Sequence, residues 1–388
     1  MQEFARIFRG GLMKPFLVSI TVCVRDGFQW IDGCLKALTE QTYPSVEIIV
    51  VNDGSTDNAR DLLDSWNDPD GINGPPVRVH HQPPLGLAAG RQWALENAKG
   101  EWVAITDIDV CVEQDWISNL VAETQPVSDE ERVVAVTGRT VFERSDDLIS
   151  RFRSVDIASK YRSRPRRTSL ANGPCSMFHR QSLLDVGGFD PEWYHAEDME
   201  VSLRLIASGG TIVYAPEALV RHVPETGTKR FLDKRRRDAR AHMRIVRHYP
   251  KSKRNGPGFD FLGNSAMVLV LFPLWLAIFI SGLPFLYELI LADTNGIDEI
   301  LKWWETKVLI VSFVLLMVHE FVLWRGPLGV VNRTVMNSTK NSKLVAMMGV
   351  RRLTILWSVA LWHGILLGCL DAALGRHGHK PLLKGKNR

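Results

Sequence analysis

The segment Glu101-Trp102-Val103-Ala104-Ile105-Thr106-Asp107-Ile108-Asp109 decides how this chain is read. Val103, Ala104 and Ile105 follow one another without polar alternation, the pattern of a strand covered on both faces, as in a parallel sheet. The run begins after Gly100 and breaks off at two carboxylates one residue apart. In open α/β sheets ligands collect at the carboxyl ends of strands, where Asp107 and Asp109 fall. Two hard oxygen donors there suit Mg²⁺ or Mn²⁺ shared with substrate phosphates. A lone Asp-x-Asp also fits a solvated acidic turn, so the neighbouring segments have to decide.

Upstream, residues 17–24 and 46–51 are further apolar runs of strand length. Between them Trp30, Ile31, Cys34, Leu35 and Leu38 recur at helical spacing, and Gln41-Thr42-Tyr43-Pro44 ends that helix. The second strand runs into Asn52-Asp53-Gly54-Ser55-Thr56-Asp57. Gly54 permits a turn there, and Ser55 or Thr56 caps a helix through Leu62, Leu63 and Trp66. Residues 67–76 read as a surface loop, 77–80 as a short strand and 86–98 as a helix bearing Arg91. The order β-α-β-α-β-α-β implies parallel strands joined by right-handed crossovers.

Downstream, Glu113-Gln-Asp-Trp116 leads into a helix, and residues 133–136 form another strand. Residues 139–169 carry many Arg and Ser with little periodicity. Their Arg162, Arg164, Arg166 and Arg167 would either contact an anionic acceptor or phospholipid, or lie in a solvated basic loop. Gly173-Pro174 begins a turn whose small residues allow a ligand to approach the backbone closely. Glu197-Asp198 opens an amphipathic helix closed by Gly209-Gly210, and the helix dipole keeps a carboxylate in that first turn ionised.

This succession resembles a family 2 inverting glycosyltransferase with the GT-A fold, an α/β, Rossmann-like nucleotide-diphospho-sugar transferase. The resemblance is carried by Val-Ser-Ile-Thr-Val-Cys-Val (18–24), Val-Val-Asn-Asp-Gly-Ser-Thr-Asp (50–57), Gly86-Leu-Ala-Ala-Gly-Arg91 and Thr106-Asp-Ile-Asp109. It continues in Gly173-Pro-Cys-Ser-Met-Phe-His-Arg, Gly187-Gly-Phe-Asp, Ala196-Glu-Asp198 and Tyr214-Ala-Pro-Glu-Ala-Leu-Val-Arg-His222, and covers roughly residues 16–225. It implies a UDP- or GDP-sugar donor bound by Cys23, Val24, Asp26, Asp53, Gly86, Arg91, Asp107 and Ile108. Asp53 would accept a hydrogen bond from the base, and Arg91 would present its fork to the nucleotide. Gly173, Pro174 and Asp190 would meet the sugar or acceptor. Asp109, with Asp107 and either His222 or water, would hold Mg²⁺ or Mn²⁺. In the family the Asp of the Glu-Asp pair is the base, so Asp198 is expected to take the acceptor proton, with Glu197 positioning the acceptor or Asp198. Two departures bear on the base bound: Val22-Cys23-Val24-Arg25 ends the first strand where Pro-Thr-Tyr-Asn-like residues are usual, and Gln92 follows Arg91 where Asn is usual.

At 388 residues the chain exceeds one ordinary domain. Its 45% apolar and 23% charged residues are divided unevenly, with a soluble α/β character up to about Pro250 and long apolar stretches at 261–287, 308–324 and 353–370. The expected organisation is an interfacial or disordered start (1–15), a transferase domain (16–228), a basic interfacial helix or linker (229–256), a membrane region (257–375) and a basic tail (376–388). Residues 1–14 lack the apolar core of a cleavable signal peptide. The five cysteines have no paired spacing, which points away from zinc and disulfides and towards a reducing cytoplasm.

Lys234-Arg-Arg-Arg237, Arg240, Arg244 and Arg247 suit anionic headgroups or an acceptor's lipid phosphate. Nucleic acid is set aside, because the run directly precedes an apolar stretch. The basic segments 229–256 and 325–352 face the cytoplasm by the positive-inside rule, which puts the transferase domain there on the cell membrane. Three full spans would then place the basic tail outside, unless the third stretch is re-entrant or interfacial. Asn332-Arg-Thr and Asn337-Ser-Thr match glycosylation acceptors but would lie in a cytoplasmic loop. The Gln-x-x-Arg-Trp run of processive relatives does not occur after Asp198, which implies transfer of a single sugar. The expectation is a metal-dependent enzyme moving one sugar to a membrane-associated, lipid-linked acceptor. The alternative is a synthase whose acceptor is polyprenyl phosphate itself. A non-catalytic scaffold and a transporter are the readings from other classes.

Overall fold

A computed structural model describes residues 15–162, 164–193, 195–250, 265–291, 303–338 and 342–376. Strands β1 (Val18–Val24), β2 (Val46–Asp53), β3 (Val77–Gln82) and β4 (Trp102–Asp107) are parallel, side by side in the order β3-β2-β1-β4. Helices α1 (Ile31–Thr39), α2 (Ala59–Ser65) and α3 (Leu87–Asn97) connect them. The unbroken apolar runs are explained by two cores. Ile20, Ile48, Val50 and Ala104 pack on α1 and α2, while Ile49, Val51, Val103 and Ile105 pack on Ala94 and Leu95 of α3.

Beyond β4 the sheet changes direction. β5 (Val110–Val112) and α4 (Trp116–Ala122) lead to β6 (Val133–Phe142), α5 (Leu148–Arg162), β7 (Arg167–Thr168) and β8 (Ser176–His179). α6 (Arg180–Asp185) and α7 (Glu197–Ala207) precede β9 (Thr211–His222). β8 inserts antiparallel between β4 and β6, β9 runs parallel to β6, and β5 pairs antiparallel with β9. Antiparallel insertion beside β4 brings the loop before β8, with Gly173 and Pro174, against the strand end that carries Asp107. The Thr106 hydroxyl donates to the Pro174 carbonyl at 3.0 Å and ties the two.

α5 departs from the expectation for residues 139–169, which had no legible periodicity. Its buried face is largely polar, with Ser150, Arg153, Ser154 and Asp156 inside. Arg153 donates to Glu225 at 3.0 Å and to Asp156 at 3.1 Å. Burial would raise the Glu225 carboxyl, but Arg153, Lys234 and Arg235 outweigh it and hold it down at about 2. Glu225 is only 4% exposed, and this depression is worth on the order of 3 kcal/mol of stability. Because the folded value lies below the unfolded one, that stability is complete above about pH 4.5 and is lost as pH falls towards 2. Glu225→Gln should therefore lower the melting temperature at neutral pH and flatten its fall across the acid window. An unchanged acid slope in fluorescence-monitored melts would contradict this.

The C-terminal part begins with α8 (Thr228–His248), the expected basic helix, followed by α9 (Ser265–Leu269), α10 (Leu271–Leu291), α11 (Trp304–Arg325), α12 (Pro327–Asn337) and α13 (Lys343–Ala373). Three helical stretches are long and apolar enough to cross a membrane: Met267–Tyr287, Thr306–Arg325 and Lys343–Ala373. The interfacial or disordered start, most of the linker after α8 and the tail beyond Arg376 lie outside the described residues. Asn332-Arg-Thr lies on α12, where Asn332 is buried, and Asn337 is the last residue of that helix.

Candidate active site

The site is assembled around Arg91. α3 reaches β1 closely because Gly90 has no side chain: a Cβ there would stand 2.9 Å from the Cys23 sulfur. This sets Arg91, only 3% exposed, beneath the strand ends. One guanidinium nitrogen donates to Asp107 at 3.0 Å and the other to Glu197 at 2.5 Å, and the group lies over the Phe189 ring. Gly173 closes the cage, since a Cβ there would come within 2.9 Å of the same guanidinium. Burial disfavours the charged guanidinium, but the two carboxylates outweigh that and keep it ionised. The fork that the resemblance turned towards a nucleotide joins β4 to α7 instead.

Gln92, the departure from the usual Asn, also has a use. Its side-chain oxygen accepts from the Phe189 amide at 2.7 Å, over the Gly187-Gly188 turn, where both glycines have positive φ. A Cβ on Gly188 would collide with that oxygen. Arg91 and Gln92 together thus fix both the α7 start and the Gly187-Gly188-Phe189-Asp190 turn.

α7 begins after His195 and Ala196, whose φ values of 70° and 67° are left-handed. Two consecutive non-glycine residues in this region store on the order of 1–3 kcal/mol each, a strain that concentrates at functional sites. His195 is held by Asp238 of α8, 2.6 Å from its Nε2, and Asp238 also pairs with Arg235. Burial raises the Glu197 carboxyl; Arg91 opposes this, while the neighbouring Asp198 adds to it. Asp198 accepts from the Gly173 amide at 3.0 Å and the Met199 amide at 2.8 Å, inside the first turn of α7. Both carboxylate oxygens are thus oriented by backbone amides at the start of the helix.

On the opposite wall, Asp53 accepts from Gln82 and from the amides of Leu85 and Gly86, so its carboxylate holds the turn into α3. Arg25 stands 3.8 Å away. Asp26, at φ 51°, accepts from the amide and hydroxyl of Thr56, and the amide bond leads in holding its carboxyl below the usual range. Burial pushes the Cys23 thiol up to about 12, so it is an inert wall. Val24 is fully buried, and Ile108 is nearly so.

Asp109 stands apart from the Arg91 cage. Its Oδ1 is 3.6 Å from His222 Nε2, and the His222 ring stacks on Phe142. His222 Nδ1 lies 2.9 Å from the Val223 carbonyl, which can only accept, so Nδ1 carries a proton. Nε2 and the Asp109 carboxylate thus offer two donors to a divalent ion, with the Val223 carbonyl holding the other ring nitrogen as is usual for a ligating His. Among the described residues no group of three or more His, Cys, Asp or Glu forms a complete metal cage. The residues present fit a divalent ion that takes its remaining ligands from phosphate and water.

Arg91, Asp107, Gly173, Pro174, Glu197 and Asp198 line a cavity of about 420 Å³. Its far side is formed by Trp193, His195 and, from α8, Lys234, Arg237 and Asp238. Asp190 is not among these residues. It lines a neighbouring cavity of about 690 Å³ behind Pro191 and Trp193, and its carboxylate accepts the Glu192 amide. The α8 contribution was visible only as a charge run, because nothing local announces that Lys234 and Arg237 face Asp198. Arg164, Arg166 and Arg167 are engaged internally. Arg164 lies between Tyr161 and Tyr214 and donates to the Leu170 carbonyl, while Arg166 and Arg167 bind Glu131.

Residues 19–187 match the model of glycosyl transferase family 2. A Bacillus subtilis (strain 168) protein described as a glycosyltransferase, EpsH, is 29% identical over 204 residues, which are 50% of this chain and 56% of that protein. The poly-beta-1,6-N-acetyl-D-glucosamine synthase of Staphylococcus aureus is 27% identical over 203 residues, 50% of this chain and 47% of the synthase. The chain thus spans about half the length of these curated relatives. A mannosyltransferase from Pyrobaculum calidifontis, PcManGT, solved with GDP-Man and Mn²⁺, superposes with a TM-score of 0.54 at 19% identity, over 95% of this chain and 94% of that one. The fold is therefore GT-A, followed by candidate membrane helices.

Proposed function

We propose, from the family 2 match over residues 19–187, that this chain is a membrane-bound inverting transferase. It moves one sugar from a UDP- or GDP-sugar to a hydroxyl of a lipid-linked acceptor at the cytoplasmic face of the cell membrane. The observation that carries the reading is the bridge Asp107–Arg91–Glu197, which sets the end of β4 and the base of α7 on one cavity. The donor's diphosphate belongs at the β4 end and the acceptor at the α7 and α8 side. Asp198 takes the proton of the acceptor hydroxyl as that oxygen bonds to the anomeric carbon, while the bond from that carbon to the diphosphate breaks on the opposite face. One displacement inverts the configuration. Glu197, anchored on Arg91, keeps the first turn of α7 in place. Asp109 and His222 would hold Mg²⁺ or Mn²⁺, which supplies charge neutralisation to the departing diphosphate when bound. Lys234 and Arg237 at the cavity margin suit the phosphate of a lipid-linked acceptor.

Calorimetric titration of the detergent-purified chain with UDP and GDP tests the donor half. One of them should bind only with a divalent ion present, and Asp109→Asn or His222→Ala should weaken that binding by at least about tenfold. Absence of binding to every nucleoside diphosphate with Mg²⁺ or Mn²⁺ would overturn the proposal.

A further inference from the structure

Three full crossings would separate the basic tail from the basic segments around it, and the packing of α13 offers a different arrangement. From Trp357 onward α13 runs beside α8. Trp357 meets Phe231 edge-on at 5.6 Å between ring centroids. Gly364 lies on the Arg236 carbonyl and Ala239, where a Cβ would clash, and Gly368 lies just as closely on Met243. Arg240 makes two hydrogen bonds to the Asp371 carboxylate, at 2.6 and 2.7 Å, and Arg247 reaches the Arg376 carbonyl. The paired positions advance together along both helices, so the two are parallel neighbours joined by small residues at close range.

α8 carries nine Lys and Arg in its 21 residues and is bound to the transferase domain through Asp238 and His195. A helix so charged does not enter hydrocarbon, and a helix packed along it lies at the same depth. The contacts of α13 with the α10–α11 hairpin agree. Among the described residues, the hydrogen bonds and ion pair on this side involve Leu269, the last residue of α9, Phe272, where α10 begins, and Glu320, near the end of α11. His319 reaches the Met267 carbonyl at this same end, whereas Phe285 and Trp303 meet at the other. α13 passes beneath the base of the hairpin. Its side away from α8 exposes Leu344, Met347, Met348, Leu366 and Leu370.

We propose that α13 is not a third crossing. α8 and α13 form a platform in the membrane–water interface, lipid covers the outer apolar face of α13, and the chain ends on the same side of the membrane as the catalytic cavity. Apolar side chains at the headgroup boundary beside a basic helix are the chemistry of interfacial attachment. The inference rests on α10 and α11 crossing a bilayer.

Labelling with a membrane-impermeant maleimide in sealed vesicles of one orientation tests it. Three chains are compared, each with one exposed reporter: Cys111 itself, Asn295→Cys between α10 and α11, or Asn387→Cys in the tail, the other exposed cysteines being serine. Cys111 and Asn387→Cys should label from one side and Asn295→Cys from the other. Asn387→Cys labelling together with Asn295→Cys would overturn the inference in favour of three spans. Labelling of all three from one side would instead remove the membrane crossing on which it rests.

Discussion

Asp198→Asn should reduce sugar transfer by about 10²- to 10⁴-fold while leaving nucleotide affinity close to that of the unchanged chain. The amide keeps the size of the carboxylate and cannot accept the acceptor's proton at working pH. It also places an NH₂ where an oxygen now accepts from the Gly173 or Met199 amide, which costs on the order of 1 kcal/mol and lowers the melting temperature modestly. Nucleotide affinity should hold, because among the described residues Asp198 bonds the Gly173 and Met199 amides and no hydrogen bond or ion pair joins it to Asp107 or Asp109. Transfer assays and nucleotide titrations on one preparation therefore separate base catalysis from binding. Full activity in Asp198→Asn would remove Asp198 as the base and would favour an acceptor phosphate, which needs no deprotonation.

Arg91→Met should be the most destabilising single change at the site. The side chain is buried, and its removal leaves Asp107 and Glu197 facing a cavity without a cation. Breaking such a pair costs about 3–5 kcal/mol, because Glu197 is left buried and unpaired, whereas Asp107, at 32% exposure, can turn to water. Arg91→Lys is not a substitute, since one ammonium cannot form the two directed bonds of the fork. Adding Glu197→Gln to Arg91→Met should recover part of the stability by removing one orphaned charge, so the two changes should not be additive. Denaturant unfolding of the two single variants and the double variant measures the coupling. Additive effects would mean that the bridge contributes nothing as a unit.

The parallel half of the sheet was legible because β2 and β4 carry continuous apolar runs that end in Asn or Asp, while β1 breaks its apolar run only with the small Ser19 and Thr21. The residues of the site were legible as short motifs, but their contacts were not. Arg91 touches Asp107 16 positions away and Glu197 106 positions away, and no periodicity encodes the second distance. α5 was hidden for a different reason. A helix that buries Ser150, Arg153, Ser154 and Asp156 beside Ile149 and Phe152 has no clean apolar stripe by which to be recognised. Likewise hydropathy treats α13 as a span, because it counts the residues of one helix and is blind to the charged neighbour, α8, beside which it packs.

The cavity joined by Arg91 should activate a nucleotide sugar. Nucleoside-diphosphate release from a panel of UDP- and GDP-sugars, measured on the full chain in detergent with lipid-linked acceptors and Mg²⁺ or Mn²⁺, tests it most directly. One donor class should be turned over, only with the divalent ion, and not by Asp198→Asn. Failure of every donor to release its nucleotide with acceptor and metal present would contradict the account.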